Sequence, residues 1–127
     1  VCLFDRKKKI AGLAHALLGK CGKIIVQNPF RFIDNSIDTM LKEMERLGSD
    51  RKDIEAKIFG GASMFTYEGN PFNIGKKNIA AAKEKLKKEK IKIVAEDTGG
   101  NHGRSLWMDS SDGKVVVSTI FGPTREI

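Results

Sequence analysis

Several residue types are scarce in this sequence, and each scarcity excludes a class of protein. Its 127 residues contain two cysteines, too few for a disulfide scaffold, and Cys2 and Cys21 lack the spacing of metal ligands. No apolar run approaches the roughly 20 residues of a membrane span. No signal-peptide pattern opens the chain. We therefore expect a protein of the reduced cytoplasm, with no membrane insertion, no metal and no cofactor.

Positive charge, in contrast, is abundant and concentrated in one segment. The net charge is +7, and residues 76–92 carry eight lysines against two glutamates. A basic helix can meet nucleic acid or an acidic partner. No aromatic residue lies among these lysines to stack on bases, so we expect no nucleic-acid partner. We favour a solvated helix face, and contact of lysines 83 to 92 with an acidic partner stays open.

The hydrophobic pattern predicts two helices. Ile33, Ile37 and Met40 begin a series of apolar residues at helical spacing that continues through Leu41, Met44 and Leu47. Gly48 then ends this helix. A second helix is expected over roughly 75–89, with Asn73 as its cap.

The remaining apolar segments predict strands. They are expected at 1–5, 10–18, 54–59 and 91–95, with a hairpin formed by 104–108 and 115–120. We expect an α+β fold in which mixed β-sheets form a layered sandwich with two main flanking helices. Residues 1–127 fit a single domain.

Two pairs of glycines follow predicted strands, Gly60-Gly61 and Gly99-Gly100. Such pairs permit positive φ and close backbone approach, and loops at strand ends are common binding positions. Neither loop matches the phosphate-binding pattern G-x-x-x-x-G-K-[ST]. Ser63 is not the nucleophile of a G-x-S-x-G motif, because Phe65 replaces the last glycine.

The two histidines differ in their surroundings. His102 lies in a glycine-rich loop and fits an exposed loop residue. His15 lies among aliphatic residues, where a buried hydrogen-bonded imidazole and a catalytic base are both open. An imidazole activates a thiol by taking its proton, and either Cys2 or Cys21 is a candidate partner by residue type. The residues alone do not decide between these alternatives.

Several longer strings together resemble the CheD family of chemoreceptor glutamine deamidases. The matching strings are CLFD at 2–5, GLAH at 12–15, RFIDNSIDTMLKEM at 31–44, EAKIFGGASMF at 55–65, NIGKKN at 73–78 and AEDTGGNHGRS at 95–105. The resemblance implies a cysteine-hydrolase-like deamidase fold. It also implies an enzyme that converts chemoreceptor glutamine side chains to glutamate through a cysteine thioester. His15 matches the family's catalytic histidine and would act as the base.

The resemblance also places the nucleophile outside this sequence. The family's Gly-Ser-Cys motif would end just before Val1, and Cys2 matches a second cysteine that is not catalytic. We therefore expect a domain that is incomplete at its N-terminus and inactive by itself. Cys21 has no counterpart in the family pattern.

The family further implies two partners, the cytoplasmic helices of chemoreceptors and the CheC phosphatase. A non-catalytic adaptor that binds both is the alternative function. Lysines 83 to 92 would then meet acidic receptor helices. The residues expected to bind substrate or partner are Gly60, Gly61, Ala62, Ser63, Met64, Phe65, Thr98, Gly99 and Gly100.

Overall fold

The computed structural model describes residues 1–21, 27–63 and 73–127. Its main elements are β1 (Cys2–Asp5), β2 (Ile10–Leu13), α1 (Ile33–Arg46), β3 (Ile54–Gly60), α2 (Ile74–Lys88), β4 (Lys92–Thr98), β5 (Ser105–Met108), β6 (Val115–Thr119) and β7 (Gly122–Glu126). Two short 3₁₀ turns precede α1 and β3, at Pro29–Arg31 and Arg51–Asp53.

The larger sheet has the strand order β2-β1-β3-β4. β1 is antiparallel to both of its neighbours, whereas β3 and β4 are parallel. Leu3 stands opposite Gly12 on one side and Ala56 on the other, so these three residues share the face that the helices cover. Because β3 and β4 are parallel, the loops that follow them leave the same edge of the sheet.

The first helix confirms the predicted apolar stripe. Its buried face carries Ile33, Ile37, Met40, Leu41 and Met44, which pack on the sheet. Leu47 lies past the end of α1 and is exposed, so its expected place in the stripe is wrong. Gly48 has a φ of 101°, a conformation that suits glycine and ends the helix.

The second helix begins as predicted. The side chain of Asn73 accepts a hydrogen bond from the Lys76 backbone N–H at 2.9 Å, which satisfies one of the donors at the helix start. Gly75 in the first turn lies so close to Gly61 that a Cβ on Gly75 would overlap the Gly61 carbonyl. The start of α2 is therefore packed directly against the loop after β3.

The smaller antiparallel sheet, β5-β6-β7, covers the other face of the larger sheet. Cys2, Val115 and Val117 are buried between the two sheets. Lys57 adds two hydrogen bonds across this boundary, from Nζ to the carbonyls of Gly113 (2.9 Å) and Ile127 (2.7 Å). Helices, larger sheet and smaller sheet form three layers, which confirms the predicted layered α+β architecture.

Two strand predictions need correction, and one strand was missed. The second strand ends at Leu13 rather than at residue 18, because its ladder with β1 ends there and only Ala14 pairs further, with Val1. β4 continues to Thr98 rather than to residue 95, because its parallel ladder with β3 extends to the pair of Gly60 and Thr98. β7 was not predicted, since all five of its residues are exposed and show no alternation.

Six of the eight lysines in the lysine-rich segment fall into two groups. Lys83 pairs with Glu96 at 2.8 Å, and Lys85 pairs with Asp38 at 2.6 Å and Glu89 at 2.7 Å. These lysines hold α2 against its neighbours. A second group is exposed and forms no ion pair within the described residues: Lys87, Lys88, Lys90 and Lys92. In the described part of the chain, no helix is long and apolar enough to cross a membrane.

Candidate active site

A cavity of ≈ 570 Å³ opens beside the edge at which β3 and β4 end. Its lining comes mainly from the segment after β2, the end of β3, the inner face of α2 and the loop after β4, with contributions from Val1, α1 and β5. Loops that leave strand ends are common binding positions. The cavity is therefore the candidate site.

His15 lines this cavity. It lies two residues after the end of β2 and is exposed, while its neighbour Ala14 is buried in the core. Ala14 and Val1 exchange two backbone hydrogen bonds of 2.9 Å, which fix the segment that carries the imidazole. The alternative of a buried core histidine is wrong. Within the described residues the imidazole has no hydrogen-bond partner, so both of its nitrogens are available to a ligand or a thiol.

Neither cysteine is among the described residues that line the cavity. Cys2 is 1% exposed and packs between the two sheets. Burial raises the pKa of its thiol, more than nearby positive charges lower it. Cys21 is half-buried, and its backbone N–H donates to both carboxylate oxygens of Asp34, at 3.1 and 3.2 Å. The structure therefore does not bring either thiol together with His15 in the cavity.

The two glycine pairs lie side by side at the C-terminal ends of β3 and β4. The backbone N–H of Gly99 donates to the Gly60 carbonyl at 2.8 Å, and the N–H of Ser63 donates to the Gly100 carbonyl at 2.9 Å. All four glycines have positive φ, as expected for glycine pairs that follow strands. Gly60, Gly61, Ala62 and Thr98 line the cavity itself.

The predicted binding residues thus divide into three sets. Four line the cavity together with His15, and three more, Ser63, Gly99 and Gly100, support the lining loops through backbone hydrogen bonds. Met64 and Phe65 lie outside the described residues. Whether any of these residues binds substrate or partner stays a prediction.

Asn78 is a cavity residue that the sequence did not single out. It projects from α2, and its side-chain amide donates to the Leu17 carbonyl at 3.0 Å, which holds the segment after His15 against the helix. Its side-chain oxygen is buried and has no partner among the described residues. The residue ends the NIGKKN string, but nothing in a lysine-rich helical stretch distinguishes it from a surface position.

His102 and Arg104 were also missed as cavity residues. His102 is half-buried, and its ring lies 4.7 Å from that of Phe121 at the β6–β7 turn. Arg104 bonds to Asp97, and Arg125 bonds to the other oxygen of the same carboxylate. These two arginines hold the pKa of Asp97 below its usual range, chiefly through the Arg104 hydrogen bond.

Comparison with known proteins identifies the family of this chain. A family model described as CheD chemotactic sensory transduction matches residues 17–119. That stretch includes both glycine pairs, Asn78, His102 and Arg104, and it begins two residues after His15.

Curated relatives agree with this match. Proteins named "Probable chemoreceptor glutamine deamidase CheD" are 42% identical in Clostridium botulinum (strain Eklund 17B / Type B) over 123 residues and 44% identical in Thermococcus kodakarensis over 122 residues. Each alignment covers 94% of this chain and 76% of the relative. The Pyrococcus abyssi protein of the same name is 41% identical over 124 residues, covering 96% of this chain and 76% of the relative. The chain belongs to the CheD family.

Proposed function

We propose that this protein deamidates glutamine side chains of chemoreceptors, and that His15 is the catalytic base. The relatives are named for this reaction, and the observation that carries the residue assignment is the position of His15. Its imidazole is exposed in a cavity of ≈ 570 Å³ whose walls also include the loops after β3 and β4 and part of α2. A general base must be accessible to the group whose proton it takes, and His15 meets that condition.

The strand register supports a place for the nucleophile. Val1 and Ala14 form a hydrogen-bonded antiparallel pair, so a residue joined ahead of Val1 would stand opposite His15 on the same face. Opposed residues in such a non-hydrogen-bonded pair have Cα atoms about 4.5 Å apart. The cysteine that the family resemblance expects ahead of Val1 would fall at this position. Cys2 follows two residues after this position and lies on the same face of β1 by strand alternation, but it is buried between the two sheets.

The reaction we propose uses His15 twice. The imidazole takes the thiol proton, and the thiolate sulfur forms a bond to the carboxamide carbon. The carbon–nitrogen bond breaks as the protonated imidazole returns a proton, and ammonia leaves. Water then attacks the thioester, which releases the glutamate side chain and restores the thiol. None of these reaction steps uses a cofactor.

Because the substrate is a receptor side chain, the chemoreceptor is a partner in this proposal. We also propose that the face around the cavity binds CheC. Large apolar side chains remain exposed around the cavity, including Leu13 at 52% and Phe121 at 73%. Exposed apolar groups beside a candidate site suit a protein partner. The adaptor role therefore stays as a second proposal, with binding that does not depend on His15.

Mass spectrometry of a receptor cytoplasmic fragment tests the enzymatic proposal. We define the extended protein as this chain preceded by the N-terminal segment that ends in the family's Gly-Ser-Cys motif. The extended protein should convert receptor glutamine to glutamate, whereas His15→Ala should abolish conversion and still retain the receptor in a pull-down. The 127-residue chain alone should give no conversion. Conversion by this chain that Cys2→Ser or Cys21→Ser removes would overturn the assignment of the nucleophile.

A further inference from the structure

Arg104 makes an unusual number of contacts for an arginine beside a cavity. Its side chain is 11% exposed and pairs with Asp97 at 2.8 Å. The other terminal nitrogen, Nη1, donates to two backbone carbonyls, those of Gly99 at 3.0 Å and His102 at 3.3 Å. One guanidinium therefore joins the end of β4 to both ends of the loop that follows it.

That loop needs an external constraint. Gly99 and Gly100 have φ values of 75° and 74°, and a Cβ on Gly99 would meet nothing within 4 Å. Glycine has the widest choice of backbone conformations, so two in succession leave the loop with many alternatives of similar energy. Side-chain packing does not select one of these loop conformations at Gly99. The hydrogen bonds of Arg104 to the loop carbonyls select it instead.

The constraint extends to the second glycine loop. Gly99 donates to the Gly60 carbonyl at 2.8 Å, and Ser63 donates to the Gly100 carbonyl at 2.9 Å. These two bonds join the 99–100 loop directly to the neighbouring Gly60–Ser63 segment. Thr98, Gly60 and Gly61 line the cavity, and all three belong to this hydrogen-bonded arrangement.

We propose that Asp97 and Arg104 are positioning residues that fix the glycine loops as the substrate-facing wall of the cavity. Asp97 orients the guanidinium, and Arg104 holds the loop carbonyls. Neither acts on the reacting atoms. The catalytic part of this proposal rests on the deamidase function proposed above, whereas the loop constraint does not.

Arg125 supplies a matched control. It pairs with the second oxygen of Asp97, but its side chain is 54% exposed and it makes no bond to the loop. Arg125→Ala removes one ion pair of the same carboxylate and leaves every loop hydrogen bond intact. Because the Arg125 side chain is exposed to solvent, we expect this ion pair to contribute little to stability.

Hydrogen exchange tests the loop constraint on the 127-residue chain. The amides of Gly99 and Ser63 report the two loop bonds directly. Arg104→Ala should speed exchange at both by about tenfold or more, since the constraint on local opening is lost. Arg104→Lys keeps the charge beside Asp97, so it guards against a failure to fold. It should also speed exchange, because an ammonium lacks the planar fork that reaches both carbonyls and the carboxylate.

Arg125→Ala should leave exchange at Gly99 and Ser63 unchanged, and amides within α1 should not change in any variant that folds. Unchanged exchange at the loop amides in Arg104→Lys would overturn the constraint.

Kinetics of the extended protein test the positioning role. Arg104→Lys should lower receptor deamidation, as kcat/KM, by about tenfold to a hundredfold, because a small misplacement of the substrate is costly. The rate at which iodoacetamide alkylates the catalytic thiol should stay within twofold, since His15 is untouched. Faster hydrogen exchange at Gly99 and Ser63 with an unchanged kcat/KM would overturn the positioning role. Failure of the unmodified extended protein to deamidate would instead overturn the proposed function, and the exchange result would still judge the constraint.

Discussion

Replacement of Gly61 by alanine is the sharpest test of how the loop after β3 is packed. A Cβ at this position would lie 2.6 Å from Cγ1 and 2.7 Å from Cδ1 of Ile79, and 2.9 Å from the Gly75 carbonyl oxygen. Gly61 also has a φ of 66°, which side chains disfavour. The substitution therefore combines a backbone penalty with a steric one.

The two penalties have separate magnitudes. A residue with a Cβ in the left-handed region costs about 1–2 kcal/mol. Forcing extra volume into packed surroundings costs about 1–3 kcal/mol more, since the Gly75 carbonyl is backbone and cannot turn aside. We expect Gly61→Ala to lower the free energy of unfolding by about 2–5 kcal/mol.

Gly99→Ala isolates the backbone part. Its φ is 75°, close to that of Gly61, but a Cβ there would meet nothing within 4 Å. This variant should lose only about 1–2 kcal/mol. Urea unfolding followed by circular dichroism measures both values, with an unchanged m-value as the check on two-state behaviour. Equal losses in the two variants would refute the close packing of Gly61 against α2.

Three further predictions concern the core, an ion pair and the cysteines. Leu41→Ala, at a fully buried position, should lower the free energy of unfolding by about 2–5 kcal/mol in urea, and the exposed Leu47→Ala should change it by less than about 1 kcal/mol. The folded-state pKa of Asp97 is lowered, so its contribution to stability is present above the unfolded-state pKa and is lost as pH falls through the folded-state value. In Asp97→Asn the free energy of unfolding should therefore fall less steeply with pH below about pH 4. Ellman's reagent should react with Cys21 before Cys2, because the Cys2 thiol is buried and its pKa is raised; faster reaction at Cys2 would contradict its place between the sheets.

The helices were predictable because their determinants are local. The stripe from Ile33 to Met44 repeats at helical spacing, and Asn73 caps α2 through its own side chain. The hairpin of β5 and β6 was predicted for a similar reason, since the polar turn segment 109–113, which ends in glycine, separates two apolar stretches. Such patterns carry their structural meaning within a few residues.

The last strand was not predictable in this way. β7 has no buried residue, and it is ordered by pairing with β6 and by the mutual backbone bonds of Val115 and Ile127. The extension of β4 likewise depends on a distant partner, because Glu96, Asp97 and Thr98 continue the parallel ladder with β3. Single-sequence patterns do not report such pairings.

The candidate site shows the same division. The two glycine pairs were found from the sequence because glycine at a strand end has a local meaning. The role of His15 was open from the residues alone, because a neighbouring run of aliphatic side chains does not say which way the imidazole points. Asn78, His102 and Arg104 join the cavity only through the packing of α2 and the β4–β5 loop. Their contribution is a property of the folded chain.

The measurement that tests the central claim most directly compares the two cavity histidines. His15→Ala and His102→Ala are each introduced into the extended protein, and conversion of receptor glutamine to glutamate is followed by mass spectrometry. Loss of one general base costs typically about a hundredfold to ten-thousandfold in rate. We predict such a loss for His15→Ala and a change of less than about tenfold for His102→Ala. Near-normal conversion by His15→Ala would contradict the assignment of His15 as the catalytic base.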